Sequence, residues 1–199
     1  MSATAASGDM IDFTAYRNGD WFGHHRLAFN EHDGKLTVDI EIDFLFKIAF
    51  IPLYRYRHRN REVWADGRLI EITTETDDNG TPFKVVGKAE GGRLLVEGSD
   101  GKLDLPGDTA STSYWNEQTI ERGEWLDTQH GRLARSKVTR KETDPILVEG
   151  SPIQANAYQL EGEITCTLWY HDQRWVGLRF SASDESVIDY SIEPPGQNG

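Results

Sequence analysis

Apolar and polar residues alternate along most of this chain with a period of two. The clearest case is 35–46, where Leu36, Val38, Ile40, Ile42 and Phe44 alternate with Thr37, Asp39, Glu41 and Asp43. Successive strand side chains point to opposite faces, so this spacing predicts a strand with one buried and one wet face. Similar patterning predicts strands near 11–17, 20–30, 53–65, 68–77, 82–90, 93–98, 113–122, 132–141, 157–170, 174–182 and 186–192. No long segment repeats at the helical period. Turn signals separate the strands: Asn18-Gly19, Asp66-Gly67, Asp78-Asn79-Gly80 and His171-Asp172-Gln173. A Gly-basic-Leu step recurs as Gly34-Lys35-Leu36, Gly67-Arg68-Leu69, Gly92-Arg93-Leu94, Gly101-Lys102-Leu103 and Gly131-Arg132-Leu133. It reads as a hairpin exit: Gly turns, the basic residue stays wet and Leu enters the core. The stretches 99–112 and 142–156, rich in Gly, Pro, Asp and Ser, read as loops, and 194–199 reads as a disordered tail.

Many short strands with frequent turns predict an all-β protein, an antiparallel meander in one domain over residues 1–193. A sheet this large tends to curl, because closure removes its edges and twist drives it. The expected architecture is a barrel or a deep half-barrel.

The segment from Tyr54 to Leu69 carries the candidate chemistry. Tyr54, Tyr56, His58, Asn60, Glu62 and Trp64 fall on one face, and Arg55, Arg57, Arg59 and Arg61 on the other. Pairing with 35–46 sets Asp39, Glu41 and Asp43 against Arg59, Arg57 and Arg55, a wet surface ladder. The opposite face then turns inward. Two phenols, an imidazole, an amide, a carboxylate and an indole are an unusual lining for a pure core and a plausible one for a cavity. The turn at Asp66-Gly67 sets Trp64 opposite Leu69, Glu62 opposite Glu71 and His58 opposite Glu75; a bulge would instead switch the inward face. Glu62 beside Glu71 would raise one carboxyl pKa, as a general acid or base requires. His58 could act with it. The same pattern also fits each as an ordinary residue of a polar strand.

Other candidates are sparser. His24 and His25 follow Trp21, and as strand neighbours only one can face a cavity. His24 and Trp21 join Tyr54, Tyr56, Asn60, Trp64 and Glu71 as expected ligand-binding residues. The scattered His24, His25, His58, His130 and His171 show no fixed ligand spacing, so no metal is expected. Phosphate loops and nucleophile elbows are absent from the sequence, which predicts no nucleotide cofactor and no serine-hydrolase chemistry. Cys166, the single cysteine, alternates with apolar neighbours and reads as an inert core thiol. Six tryptophans pack a core or cage an apolar ligand. The apolar run from Phe44 to Leu53 is a buried crossover or a portal lip making transient membrane contact.

Bulk properties narrow the partners. The chain has 199 residues, 37% hydrophobic and 11% aromatic, with a net charge of -12. A surface this acidic repels nucleic-acid phosphates. A mean hydropathy of -0.59 argues against an integral membrane protein. The opening MSATAASGDMID is small and polar, without the charged and apolar regions of a leader. It fits a cytoplasmic protein or a mature exported one.

The string Tyr54-Arg55-Tyr56-Arg57-His58 with Glu62-Val63-Trp64 and Gly67-Arg68-Leu69 resembles a bacterial β-rich family of unknown function. Gly19-Asp20-Trp21-Phe22-Gly23-His24-His25, Gly162-Glu163-Ile164, Leu168-Trp169-Tyr170 and the stretch from Phe180 to Tyr190 carry the same resemblance. That family is similar in shape to the half-barrels of periplasmic lipoprotein carriers. The resemblance implies an exported, ligand-holding β protein and supplies no catalytic residues. Three readings follow. The first is a binder of an apolar, lipid-like or aromatic small molecule. The second is a cofactor-independent isomerase or lyase using Glu62 and His58. The third is a structural envelope protein with a filled core.

Overall fold

A computed structural model describes residues 8–48 and 51–194. Its first half is a run of antiparallel hairpins: β1 (Met10–Arg17), β2 (Asp20–His32), β3 (Lys35–Ile48), β4 (Ile51–Ala65), β5 (Arg68–Asp78), β6 (Thr81–Glu90), β7 (Arg93–Gly98) and β8 (Gly101–Pro106). The chain then crosses through β9 (Ala110–Ser111), a 3-10 helix (Glu117–Arg122) and β10 (Glu124–Leu126). It returns as β11 (Leu133–Arg140), β12 (Asp144–Val148), β13 (Ser151–Gly162), β14 (Cys166–His171), β15 (Arg174–Ser181) and β16 (Val187–Ser191). β1 pairs with β16, so the first and last strands meet within one sheet of order β8-β7-β6-β5-β4-β3-β2-β1-β16-β15-β14-β13-β11-β10-β9, with β12 on β13. β9 and β10 pair in parallel. Among the described residues the outer strands β8 and β9 do not pair with each other. The fold is the all-β antiparallel meander expected, curled and not closed.

Local chemistry explains the hairpins. Asp66 (φ 50°) and Gly67 (φ 71°) both adopt left-handed backbone, as a two-residue primed turn requires, and Asn79-Gly80 does the same. β3 and β4 pair Asp39 with Arg61, Glu41 with Arg59 and Asp43 with Arg57. This register lies two residues from the expected one. An even shift preserves the inward face.

Two bulges do change faces. Between Val63 and Trp64 the β4–β5 register slips, so Glu62 faces Ile72 and His58 faces Thr76. Ile72 and Val85 thereby turn into the core, while Glu71 is exposed, with its Oε1 3.9 Å from Lys88 Nζ. The expected Glu62–Glu71 carboxylate pair does not form. In β2 the register slips where Tyr16 pairs with Trp21 and Ala15 with Gly23. Gly23 (φ 155°) approaches β3 so closely that a Cβ would lie 2.0 Å from the Asp43 carbonyl oxygen. The extra residue is Phe22, which turns inward while Trp21 turns outward.

Elements expected elsewhere also move. The 99–112 stretch holds β8 and β9, and 142–156 holds β12 and the start of β13. The expected strand 157–170 is divided by a turn after Gly162. The expected strand 113–122 is irregular backbone followed by the 3-10 helix, capped by Asn116 Oδ1 accepting from the Gln118 N–H at 3.1 Å and ended by left-handed Gly123. Tyr114, Trp115 and Ile120 there serve the concave side of the sheet instead of a ladder. Of the expected tail, residues 195–199 lie outside the described residues.

The open side is covered by the loop after β10. Ser99 N–H donates to His130 O at 3.0 Å, and Thr74 Oγ1 donates to Thr128 O at 2.7 Å. A Cβ on Gly98 would lie 2.4 Å from His130 O and 2.7 Å from Gly131 Cα. Backbone cannot yield there as a flexible side chain would. Gly98→Val is therefore expected to lower unfolding free energy by about 1–3 kcal/mol in urea titration.

Candidate ligand cavity

Reading across the sheet at one level, Phe13, His25, Ile42, His58 and Thr76 are successive partners on β1 to β5. One step toward the β3–β4 turn lie Phe44, Tyr56 and Asp78; one step away lie Leu27, Ile40, Asn60 and Thr74. The concave side divides at the histidine row. From it toward the β3–β4 turn is a cavity of about 980 Å³, lined by His25, Ile42, Phe44, Tyr56 and His58. Its opposite wall is built by Tyr114, Cys166, Trp175, Leu178 and Tyr190. Beyond the row the interior is filled.

Aromatic rings dominate the wall. Phe22 stacks on Phe44 at 4.7 Å, and Phe44 on Tyr56 at 5.9 Å between ring centroids. One polar side relieves this. Tyr54 Oη donates to Asp78 Oδ1 at 3.0 Å, and Gln129 Nε2 donates to Asp78 Oδ2 at 3.1 Å. Tyr56 Oη donates to Gln129 Oε1 at 3.1 Å. Burial raises both phenol pKa values, and Asp78 adds to each. They act here as donors. Burial pushes the Cys166 thiol up to about 12, which leaves it unreactive although it touches the cavity.

Both histidines of the row are neutral. Burial lowers His25 to about 3, with the nearby His58 adding to the effect. Burial lowers His58 to about 4 against the opposing pull of Asp127. His58 Nδ1 lies 2.7 Å from Thr76 Oγ1, which orients the ring. His25 is 5% exposed, sits edge-on to Trp175 at 5.3 Å and Tyr190 at 5.5 Å, and has no hydrogen-bond partner on either ring nitrogen.

Glu62 belongs to the filled half. It is wholly buried and does not line the cavity. Oε1 accepts from Asn60 Nδ2 at 3.0 Å. Oε2 accepts from Trp64 Nε1 at 2.9 Å, Ser113 Oγ at 3.2 Å and Trp115 Nε1 at 3.3 Å. Trp64 packs edge-on against Trp115 at 5.2 Å. Four positions of strand separate His58 from Glu62, roughly 13 Å. The expected acid–base pair is not assembled: one member faces the cavity, and the other pins the 111–116 loop to β4.

The expected binding residues thus separate into three groups. Tyr54, Tyr56 and His58 line the cavity, whereas Asn60, Glu62 and Trp64 lie beneath it. Trp21, His24 and Glu71 fall outside. Trp21 is 50% exposed and contacts His24, whose Nδ1 lies 3.9 Å from Asp12 Oδ1 on the outer face. His25 is the residue of the histidine pair that faces inward, and its parity with Leu27 and Phe29 carried that signal. Nothing in the sequence pattern marks Asp127 or Gln129, which arrive on a loop. Among the described residues no cluster of three His, Cys, Asp or Glu side chains is placed to hold a metal ion.

Residues 13–193 match the family model described as "Domain of unknown function (DUF6134)", and the chain belongs to that family. Among solved structures it is similar to the beta-barrel-like protein of a domain of unknown function, DUF1849, from Brucella abortus. That likeness has a TM-score of 0.62 at 12% identity, over 93% of this chain and 94% of that one. At this identity the likeness shows the fold alone. No curated protein matches the sequence. The similarity to lipoprotein carriers rests on the sequence motifs only.

Glu62→Ala leaves four donors without an acceptor and is expected to cost about 3 kcal/mol or more in urea unfolding. Glu62→Gln, whose amide oxygen still accepts, is expected to cost less. Acid should destabilise the protein through its histidines. Above pH 6.5, their ordinary pKa, neither state binds the proton and their contribution is complete. Below it the unfolded imidazoles charge while the buried ones stay neutral. Stability is therefore lost as pH falls from 6.5 toward 4, by roughly 3 kcal/mol per imidazole. Urea titrations across this window should show a shallower decline for His58→Gln than for the parent protein.

Proposed function

We propose that this member of the DUF6134 family is a binding protein for an apolar or lipid-like small molecule, held on the concave side of its sheet. The observation that carries the reading is the cavity of about 980 Å³, walled by aromatic rings, with Asp78 and Gln129 on one side and Arg17, Glu163 and Asp184 elsewhere on its border. Its size lies at the upper end of small-molecule sites, and its composition, apolar with a few placed polar groups, is typical of them. A cleft of this volume between Phe44, Trp175 and Tyr190, open at its mouth, leaves aromatic surface without the packing partners that a filled core would give it. A structural protein with no ligand has no use for that loss.

The mouth supports the same reading. Phe46, Leu53, Tyr54 and Phe180 border it, with Leu53 half-exposed. Arg17 lies over the Phe46 ring at 3.9 Å, and its guanidinium is ion-paired with Asp184. An apolar chain could enter along this edge without crossing an unpaired charge. The proposed portal lip, from Phe44 to Leu53, falls partly outside the described residues. Its described part borders the cavity, and membrane contact there is part of the proposal.

Native mass spectrometry of the purified protein should reveal a bound apolar species, or should take one up from added long-chain compounds. Ala182 borders the cavity. Ala182→Trp is expected to weaken binding of the neutral fluorophore N-phenyl-1-naphthylamine by roughly tenfold or more while the melting temperature stays near that of the parent. Equal binding by parent and variant, or none by the parent, would overturn the reading.

A further inference from the structure

The charges that face the cavity are mostly of one sign. Asp78, Asp127, Glu163 and Asp184 line it, and among the described residues Arg17 is the one lining guanidinium, a formal charge of -3 with both histidines neutral. Arg17 is ion-paired with Asp184, and Asp127 with Arg132 at 3.2 Å. Glu163 is exposed, and its Oε2 accepts from the Arg135 backbone N–H at 2.8 Å. Asp78 differs from all three. It is half-buried at the end of β5, opposite Tyr56 of β4 and within the aromatic wall. A carboxylate drawn out of water is normally paired with a cation. This one has no ion pair among the described residues and is met by two neutral donors, Tyr54 Oη and Gln129 Nε2.

The hydrogen bonds around Asp78 run in one direction too. The Tyr54 hydroxyl proton goes to Asp78, and that of Tyr56 goes to Gln129 Oε1. Both phenol hydrogens are thus spent within the cluster. What the cluster still offers is lone pairs, on two phenol oxygens and on a carboxylate that has about four acceptor positions. An anionic head has no hydrogen to give them and would meet the lining carboxylates. An alcohol gives one hydrogen and leaves the charge of Asp78 unbalanced. A protonated primary amine gives up to three and supplies the missing counter-charge.

We infer that the ligand of this cavity carries a protonated amine, seated against Asp78 and the Tyr54 and Tyr56 hydroxyl oxygens. Its apolar or aromatic body lies along Phe44 toward Trp175 and Tyr190, the facing walls of the same cavity. A phosphate attached beside the ammonium would restore the repulsion, so the class is a simple amine amphiphile and not a zwitterionic phospholipid. This inference rests on the binding function proposed above and adds to it the charge of the head.

Displacement of N-phenyl-1-naphthylamine tests it, at about 0.15 M salt so that the charge of the outer surface is screened. The competitors are dodecylammonium, 1-dodecanol, dodecanoate and dodecylphosphocholine, all of one chain length. Dodecylammonium should displace the fluorophore at roughly tenfold lower concentration than each of the others. Asp78→Asn should bring the amine to parity with the alcohol. Glu71→Gln, which removes an exposed carboxylate from the outer face, should keep the tenfold preference. In case Asp78→Asn folds poorly, the Asp78 carboxyl carbon of the parent protein gives a second reading: its resonance should move on adding dodecylammonium and stay on adding dodecanol. Parity of amine and alcohol on the parent protein, a preference for dodecanoate or dodecylphosphocholine, an amine preference that survives Asp78→Asn, or its loss in Glu71→Gln would overturn the amine head and leave the binding function standing. No fluorophore binding by the parent protein would remove both.

Discussion

One buried carboxylate organises the interior. Glu62 lies on the longest hairpin of the sheet, yet two of its four donors come from the 111–116 loop. Taking a carboxylate out of water costs several kcal/mol, and only a near-complete set of donors offsets that. The geometry therefore admits few alternatives. The loop must lie across the concave side at the level of Trp64, and the indoles of Trp64 and Trp115 must meet there. On that side of the histidine row Leu27, Ile40, Glu62, Trp64 and Trp115 are buried. The space that the loop does not reach, toward the β3–β4 turn, stays open.

The two halves differ in kind. In the filled half, Glu62 is answered by four protein donors, while Asn60 Oδ1 is left without a partner. In the open half, three neighbouring groups, Tyr54, Tyr56 and Asp78, are tied together through Gln129, while His25 lacks a partner. Outside, the same strands carry interlocked acids and arginines, such as Arg61 Nε to Asp39 Oδ1 at 2.7 Å. Exposed pairs of this kind contribute little stability. They hold the arginines and carboxylates of β3 and β4 on the outer face, opposite the aromatic rings of the cavity.

Much of this architecture is legible in the sequence because period-two alternation is a local property. The hairpins from β1 to β7 follow from it, as does the inward direction of Tyr54, Tyr56 and His58. Even a register error of two residues between β3 and β4 left the faces unchanged. What alternation cannot reveal is a change of parity. The bulge in β2 moved Trp21 out and Phe22 in, and the bulge opposite Val63 separated Glu71 from Glu62. Both depend on how two strands meet, which no single-strand pattern encodes. The crossing segment was misread for a related reason. Trp115 and Ile120 are buried against side chains distant in sequence, so their apolar character mimics a strand. The division of the Tyr54–Trp64 face into cavity wall and sealed core also lies beyond a one-dimensional reading, since the loop that divides it starts about fifty residues downstream.

The pairing of β1 with β16 sets the order of events during synthesis. Thr14 finds its partner in Ser191, nearly the whole chain away. Until the last strand leaves the ribosome, the hairpins of the first half form a sheet whose β1 edge offers a row of unsatisfied amides and carbonyls. Such edges recruit other chains. Contacts of this sequence separation also form slowly. The β1 edge thus stays an adhesive border until β16 pairs with it.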